Sequence, residues 1–144
     1  MQVIKYLGQG STQMEILVHT YSKEEWVQMK TEKFGPEETG GLGLYFPDDY
    51  SIHIICKKEF PGNIWIQGIN VQWEHVLMHE YIHYLQHMKS CWDKLIPIDP
   101  KGKGVPLTKG FKRTYPERDS WGYEAEAHWY MYRPEELGLK LVLA

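Results

Sequence analysis

Cysteine, charge of one sign and long apolar runs are all scarce in this chain, and each scarcity narrows what it can be. Only two cysteines, Cys56 and Cys91, occur in 144 residues. They lie far apart and outside any C-x-x-C spacing, so they could close at most one bridge. Without an export signal they are expected as reduced thiols, with no catalytic role. The formal net charge is only −3, with Lys and Arg scattered, so the chain lacks the basic face that phosphate contacts need. Nucleic acid is therefore set aside as a partner. No stretch reaches the roughly 18 apolar residues of a membrane span, and Met1 to Gly10 has no apolar segment preceded by positive charge. No membrane association is expected, and the cytoplasm is the expected location. Internal repeats and low-complexity tracts are missing as well.

Aromatic residues are plentiful by contrast. Six Trp and ten Tyr, in a chain that is 42 % hydrophobic and 14 % aromatic, exclude a disordered polymer and point to a core and cleft rich in rings. The length suits one domain spanning residues 1–144 and is too short for two comfortable cores.

A strand-rich first half precedes a helical second half. Glu15 to Tyr21 is expected as a strand; Ser22 followed three residues later by Glu25 is a capping box that opens a helix through about Lys33, which Gly35-Pro36 ends. Leu42–Phe46 and Ser51–Cys56 flank the turn sequence Pro47-Asp48-Asp49-Tyr50 and are expected to form a hairpin. Lys57 to Glu59 returns to solvent, and Ile64-Trp65-Ile66 is a short apolar piece. Asn70 to Met88 then runs without Gly or Pro, with Asn70 as N-cap and Val71, Val76 or Leu77, Tyr81, Leu85 and Met88 at helical spacing. Ser90 to Gly110 reads as a long surface loop, an insertion or lid. A last helix is expected from near Pro116 to about Tyr132, followed by a short apolar tail from Glu135.

The most informative segment lies inside the long helix: His79-Glu80-Tyr81-Ile82-His83. Positions i and i+4 share a helix face roughly 6 Å apart, so both imidazoles can reach one zinc ion. Glu80 lies about 100° round, where a carboxylate can touch a metal-bound water without being a ligand. Its apolar neighbours argue for such a use, because an unpaired buried carboxylate is costly.

A catalytic zinc takes three protein ligands, so one must come from elsewhere. In the metzincin pattern H-E-x-x-H-x-x-G-x-x-H, Gln86 and Lys89 would occupy the Gly and third His places, so that arrangement fails. His75 and His87 lie a turn either side of the pair, but imidazoles along one straight helix cannot converge on a tetrahedral ion. They are expected as a polar rim or as support behind the ligands. The last helix offers Glu124, Glu126 and His128, set among Ala125, Ala127, Trp121 and Trp129.

H-E-Y-I-H followed, 41 residues beyond His83, by Glu124-Ala125-Glu126-Ala127-His128 resembles the gluzincin clan of zinc metallopeptidases. In scale the chain is similar to its short intracellular members, the minimal gluzincins and ImmA/IrrE-type peptidases, and the likeness covers about Trp73 to Arg133. It implies His79 and His83 as ligands, Glu80 as general base, Glu124 as third ligand and Ala127 as a small packing residue. His128 stands where Asp or Asn is usual, which leaves open what orients the zinc histidines. It is also a rival ligand, one turn from Glu124; Glu126, about 200° round from Glu124, would serve if the helix were rotated.

The fold so implied is α+β and zincin-like: a small twisted, mainly antiparallel sheet packed on the H-E-x-x-H helix, with the third ligand on a C-terminal helix. Ser51–Cys56 is expected at the sheet edge along the cleft, where a peptide could add as an extra strand. The implied activity is zinc-dependent hydrolysis of a peptide or protein substrate, with Tyr115, Tyr123, Tyr130 and His128 eligible to stabilise charge on the carbonyl. Two other classes stay open. One is a zinc amidase or deformylase, for which Cys56 in Ile-Ile-Cys-Lys is a poor match to the cysteine ligand. The other is a non-enzymatic binding or regulatory protein stabilised by a structural zinc, which has no need of Glu80.

Overall fold

A computed structural model of the protein describes residues 2–7, 13–35, 41–66, 68–90, 121–137 and 139–143. They form an α+β fold built on a five-stranded mixed sheet. β1 (Gln2–Leu7), β2 (Gln13–Tyr21), β3 (Gly43–Phe46), β4 (Ser51–Ile55) and β7 (Lys140–Leu143) lie in the order β3-β4-β2-β1-β7, while β5 (Trp65–Ile66) and β6 (Ile69–Asn70) make a separate small hairpin. The large sheet is antiparallel except where β2 pairs in parallel with β4, Val18 opposite Ile52 and Tyr21 opposite Ile55. The parallel pair follows from its connection, since α1 (Lys23–Phe34) carries the chain back between the two strands.

Local chemistry sets α1. Ser22 Oγ accepts the Glu25 N–H and the Glu25 carboxylate accepts the Ser22 N–H, the expected capping box, and Gly35 closes the helix at φ 95°. Trp26 is buried against Tyr21, and its indole N–H donates to the Gly41 carbonyl at 3.3 Å.

The opposite sheet face carries the main core. Ile16, Val18, Tyr45, Ile52 and Ile54 pack against Leu77, Met78, Tyr81 and Ile82 of α2 (Trp73–Ser90), together with Ala127, Tyr130 and Met131 of or just beyond α3 (Trp121–Tyr130). Burial of such side chains contributes about 1.5–3 kcal/mol each, and it fixes α2 across the sheet. The Trp73 indole N–H donates to the Ile55 carbonyl at 2.8 Å, pinning the start of α2 to the end of β4.

Four expectations change. Ser51–Cys56 is not an edge: β4 lies between β3 and β2, and all five of its residues are buried because α2 covers Ile52 and Ile54 while the other face is covered too. Among the described residues the edge on that side is β3. Asn70 belongs to β6 rather than capping a helix, and α2 begins at Trp73; the Gln72 N–H donates to His75 Nδ1 at 3.0 Å, so His75 serves the helix start. The C-terminal tail is a strand, β7, paired with the unanticipated β1. Residues 91–110, Cys91, Tyr115 and the expected helix start at Pro116 lie outside the described residues.

Candidate metal centre

α2 and α3 meet where His79, His83 and Gln86 face Glu124 and Glu126, with Ala127 wholly buried in the core cluster shared by the two helices. Three donor groups converge there. His79 Nε2 lies 3.2 Å from Glu124 Oε2, His83 Nε2 lies 3.1 Å from Glu124 Oε1, and the two Nε2 atoms are 3.1 Å apart. Tetrahedral zinc, with bonds of about 2.0–2.2 Å to N and O, holds its ligand atoms roughly 3.3–3.5 Å from each other. The two imidazole Nε2 atoms stand within a few tenths of an ångström of that separation, each meets a different oxygen of the Glu124 carboxylate, and one ligand atom from each residue lies within 4.8 Å of the others. Two imidazoles and a carboxylate, buried or nearly so, are also the donor chemistry zinc takes. Among the described residues no other three His, Cys, Asp or Glu side chains gather in this way.

The charges of the site follow from the same contacts. Burial opposes ionisation of Glu124, but hydrogen bonds from His79 and His83 outweigh it and hold the carboxyl well below the usual range. Burial likewise disfavours a charged His83, yet the Glu124 hydrogen bond and charge raise it to about 9. A metal ion would displace that proton, so binding is coupled to proton release.

Glu80 lies beside the triangle rather than in it. Burial raises its pKa above the ordinary carboxyl value, against the lowering influence of His79 and His83, with Glu124 adding to the rise. Above it runs β3 in the same direction as α2, with Gly43 over Val76 and Glu80 and Tyr45 over Tyr84 and His87. A Cβ on Gly43 would sit 2.8 Å from Val76 Cγ1 and 3.1 Å from Glu80 Cγ, so the strand comes this close only because the residue is glycine.

The three third-ligand candidates of the last helix have separate places. Glu124 enters the triangle. Glu126 points to the α2 interior, where its Oε1 accepts the Gln86 side-chain N–H at 2.9 Å. His128 is buried outside the triangle, edge-on to Tyr132, and burial followed by the nearby His79 charge lowers its pKa to about 4. Tyr130 sits in the hydrophobic core instead of the site. His87 bonds Tyr45 Oη at 2.9 Å through Nδ1, consistent with its placement away from the ligands. Cys56 is a free thiol next to Glu59 and is not among the groups that gather in the triangle.

Sequence reading overlooked Gln86 as a functional residue. Its Oε1 lies 2.8 Å from His83 Nδ1. The available signal was its spacing, three residues after a ligand and therefore on the same helix face.

No family model, curated protein or solved structure matches this chain. The gluzincin likeness thus rests on the two sequence motifs alone.

Proposed function

We propose that the protein is a zinc-dependent peptidase with a zincin-like arrangement, in which His79, His83 and Glu124 hold the ion and Glu80 is the general base. The observation that carries this reading is the convergence of two imidazoles and one carboxylate from two helices, the Nε2 atoms 3.1 Å apart and each 3.1–3.2 Å from an oxygen of Glu124, with a buried glutamate at their side. When bound, the zinc ion supplies a Lewis acid that lowers the pKa of water towards ~7 and polarises a carbonyl group.

The remaining work falls to the chain's own side chains. The Glu80 carboxylate takes a proton from the attacking water and returns it to the departing amine nitrogen. Burial raises its pKa above the ordinary carboxyl value, which strengthens it as a proton acceptor. Glu124 stays ionised and offsets the ion's charge. The edge of β3 runs along α2 above Glu80 and offers main-chain N–H and C=O groups to which an extended peptide can add as a further strand. Among the described residues a deformylase-like cysteine ligand finds no support, since Cys56 is not part of the His79, His83 and Glu124 cluster.

The test is hydrolysis of a random peptide library by purified protein, with and without a chelator. Cleavage that disappears on chelation and returns with zinc supports the proposal. A protein that contains stoichiometric zinc but cleaves nothing would leave a binding or regulatory role in its place.

A further inference from the structure

We propose that Gln86 and Glu126 act as a two-residue lock that fixes the tautomer of His83, so that its Nδ1 carries the proton and its Nε2 lone pair faces the metal site. The inference rests on the zinc reading above and adds Gln86, which neither motif contains, and a positioning role for Glu126 in place of the ligand role weighed from the sequence. Gln86 is 0 % exposed and Glu126 is 1 % exposed, which removes water as a compensating partner for the bonds between them. Three polar groups stand in line: Glu126 Oε1 2.9 Å from Gln86 Nε2, and Gln86 Oε1 2.8 Å from His83 Nδ1.

The direction of each bond follows from what each group can do. A carboxylate oxygen accepts only, so the amide must turn its NH₂ towards Glu126. Its carbonyl oxygen then faces His83 and accepts only, so Nδ1 must be the donor. A neutral imidazole with its proton on Nδ1 has its lone pair on Nε2, the atom that lies in the triangle with His79 and Glu124.

Gln86 alone would not enforce this. A side-chain amide flips at little cost in shape, and the flipped form would present NH₂ to Nδ1 and favour the wrong tautomer. With Glu126 behind it, the flip would set two acceptor oxygens against each other in a dry interior. The anion therefore selects the amide orientation, and the amide selects the tautomer. Glu124 and Glu126, two residues apart on α3, thereby divide two tasks: one reaches the site and the other braces a ligand from behind.

The test measures zinc affinity by competition with a chromophoric chelator in the unaltered protein, Gln86→Leu and Glu126→Gln, together with the His83 imidazole N–H resonance of the zinc-loaded forms. Outer partners of ligand histidines typically contribute 10- to 100-fold in metal affinity, so Gln86→Leu is expected to weaken zinc binding by about that factor and to lose a slowly exchanging Nδ1–H signal. Glu126→Gln keeps the volume but lets the amide pair form in either sense; a weakening of a few-fold, with a broadened Nδ1–H signal, is expected. Thermal unfolding of the metal-free variants separates packing from metal binding, and Glu126→Gln serves alone should Gln86→Leu not fold. Unchanged zinc affinity and an unchanged Nδ1–H signal in the folded variants would overturn the lock while leaving the zinc site standing. Failure of the unaltered protein to bind stoichiometric zinc would instead overturn the site itself.

Discussion

Gly43→Ala is the substitution whose outcome the geometry constrains most closely. The new methyl carbon would lie 2.8 Å from Val76 Cγ1 and 3.1 Å from Glu80 Cγ, whereas carbon atoms rest at about 3.5–4.0 Å. Val76 cannot turn away, because a β-branched side chain on a helix has essentially one rotamer. β3 and α2 must therefore separate by roughly 0.5–1 Å, an overpacking that costs about 1–3 kcal/mol. The same movement displaces Glu80, and a misplacement near 1 Å costs on the order of 100-fold in rate. Denaturant unfolding should show the stability loss, zinc titration should change little because the new methyl meets Val76 and Glu80 rather than His79 or His83, and peptide hydrolysis should fall about 100-fold. Adding Val76→Ala removes the closer collision and should restore most of the stability, while the Glu80 contact keeps hydrolysis low. A Gly43→Ala protein with unaltered unfolding and unaltered hydrolysis would refute the close packing of edge strand on metal helix.

Three further outcomes are expected. Glu80→Gln should retain fold and zinc but lose hydrolysis by a factor of about 10² to 10⁴; residual turnover near the starting level would remove Glu80 from its role as base. His53, hydrogen-bonded to Tyr21 Oη at 2.6 Å and to Ser51 Oγ at 2.9 Å, has its pKa lowered to about 4 by burial and then by His19. The unfolded chain takes up this proton below about pH 6.5 and the folded protein does not until about pH 4, so stability is full above 6.5 and declines as pH falls between those values, by roughly 3 kcal/mol. Chemical denaturation across that window should show the decline, and His53→Gln should flatten it. Ser22→Ala deletes the α1 cap and should cost about 1 kcal/mol in the same assay; a cost near zero would mean that the cap is not needed for α1.

Legibility in the sequence followed the range of the determining interactions. The capping box at Ser22, the β3–β4 hairpin and most of α2 depend on residues within a turn or two of one another, and their patterns could be read directly. β7 could not, because Lys140 finds Leu7 only after the chain has crossed the whole molecule; β1 pairs locally with β2, Leu7 opposite Gln13, and was overlooked all the same. The central place of β4 was misread for a related reason. Ser51-Ile52-His53-Ile54-Ile55 fits either a half-buried edge or an interior strand, and only its long-range parallel pairing with β2 decides. At the site, His79, Glu80 and His83 share one helix and one periodicity. Which of Glu124, Glu126 and His128 reaches them depends on the rotation of α3, set by packing around Ala127, and no local pattern encodes that angle.

Anomalous scattering from crystals of the purified protein, recorded on either side of the zinc absorption edge, tests the central claim most directly. One strong peak is expected between His79 Nε2, His83 Nε2 and the Glu124 carboxylate, with no fourth side chain closing the coordination shell. A peak elsewhere, a shell closed by a fourth protein group, or no peak in protein supplied with zinc would contradict it.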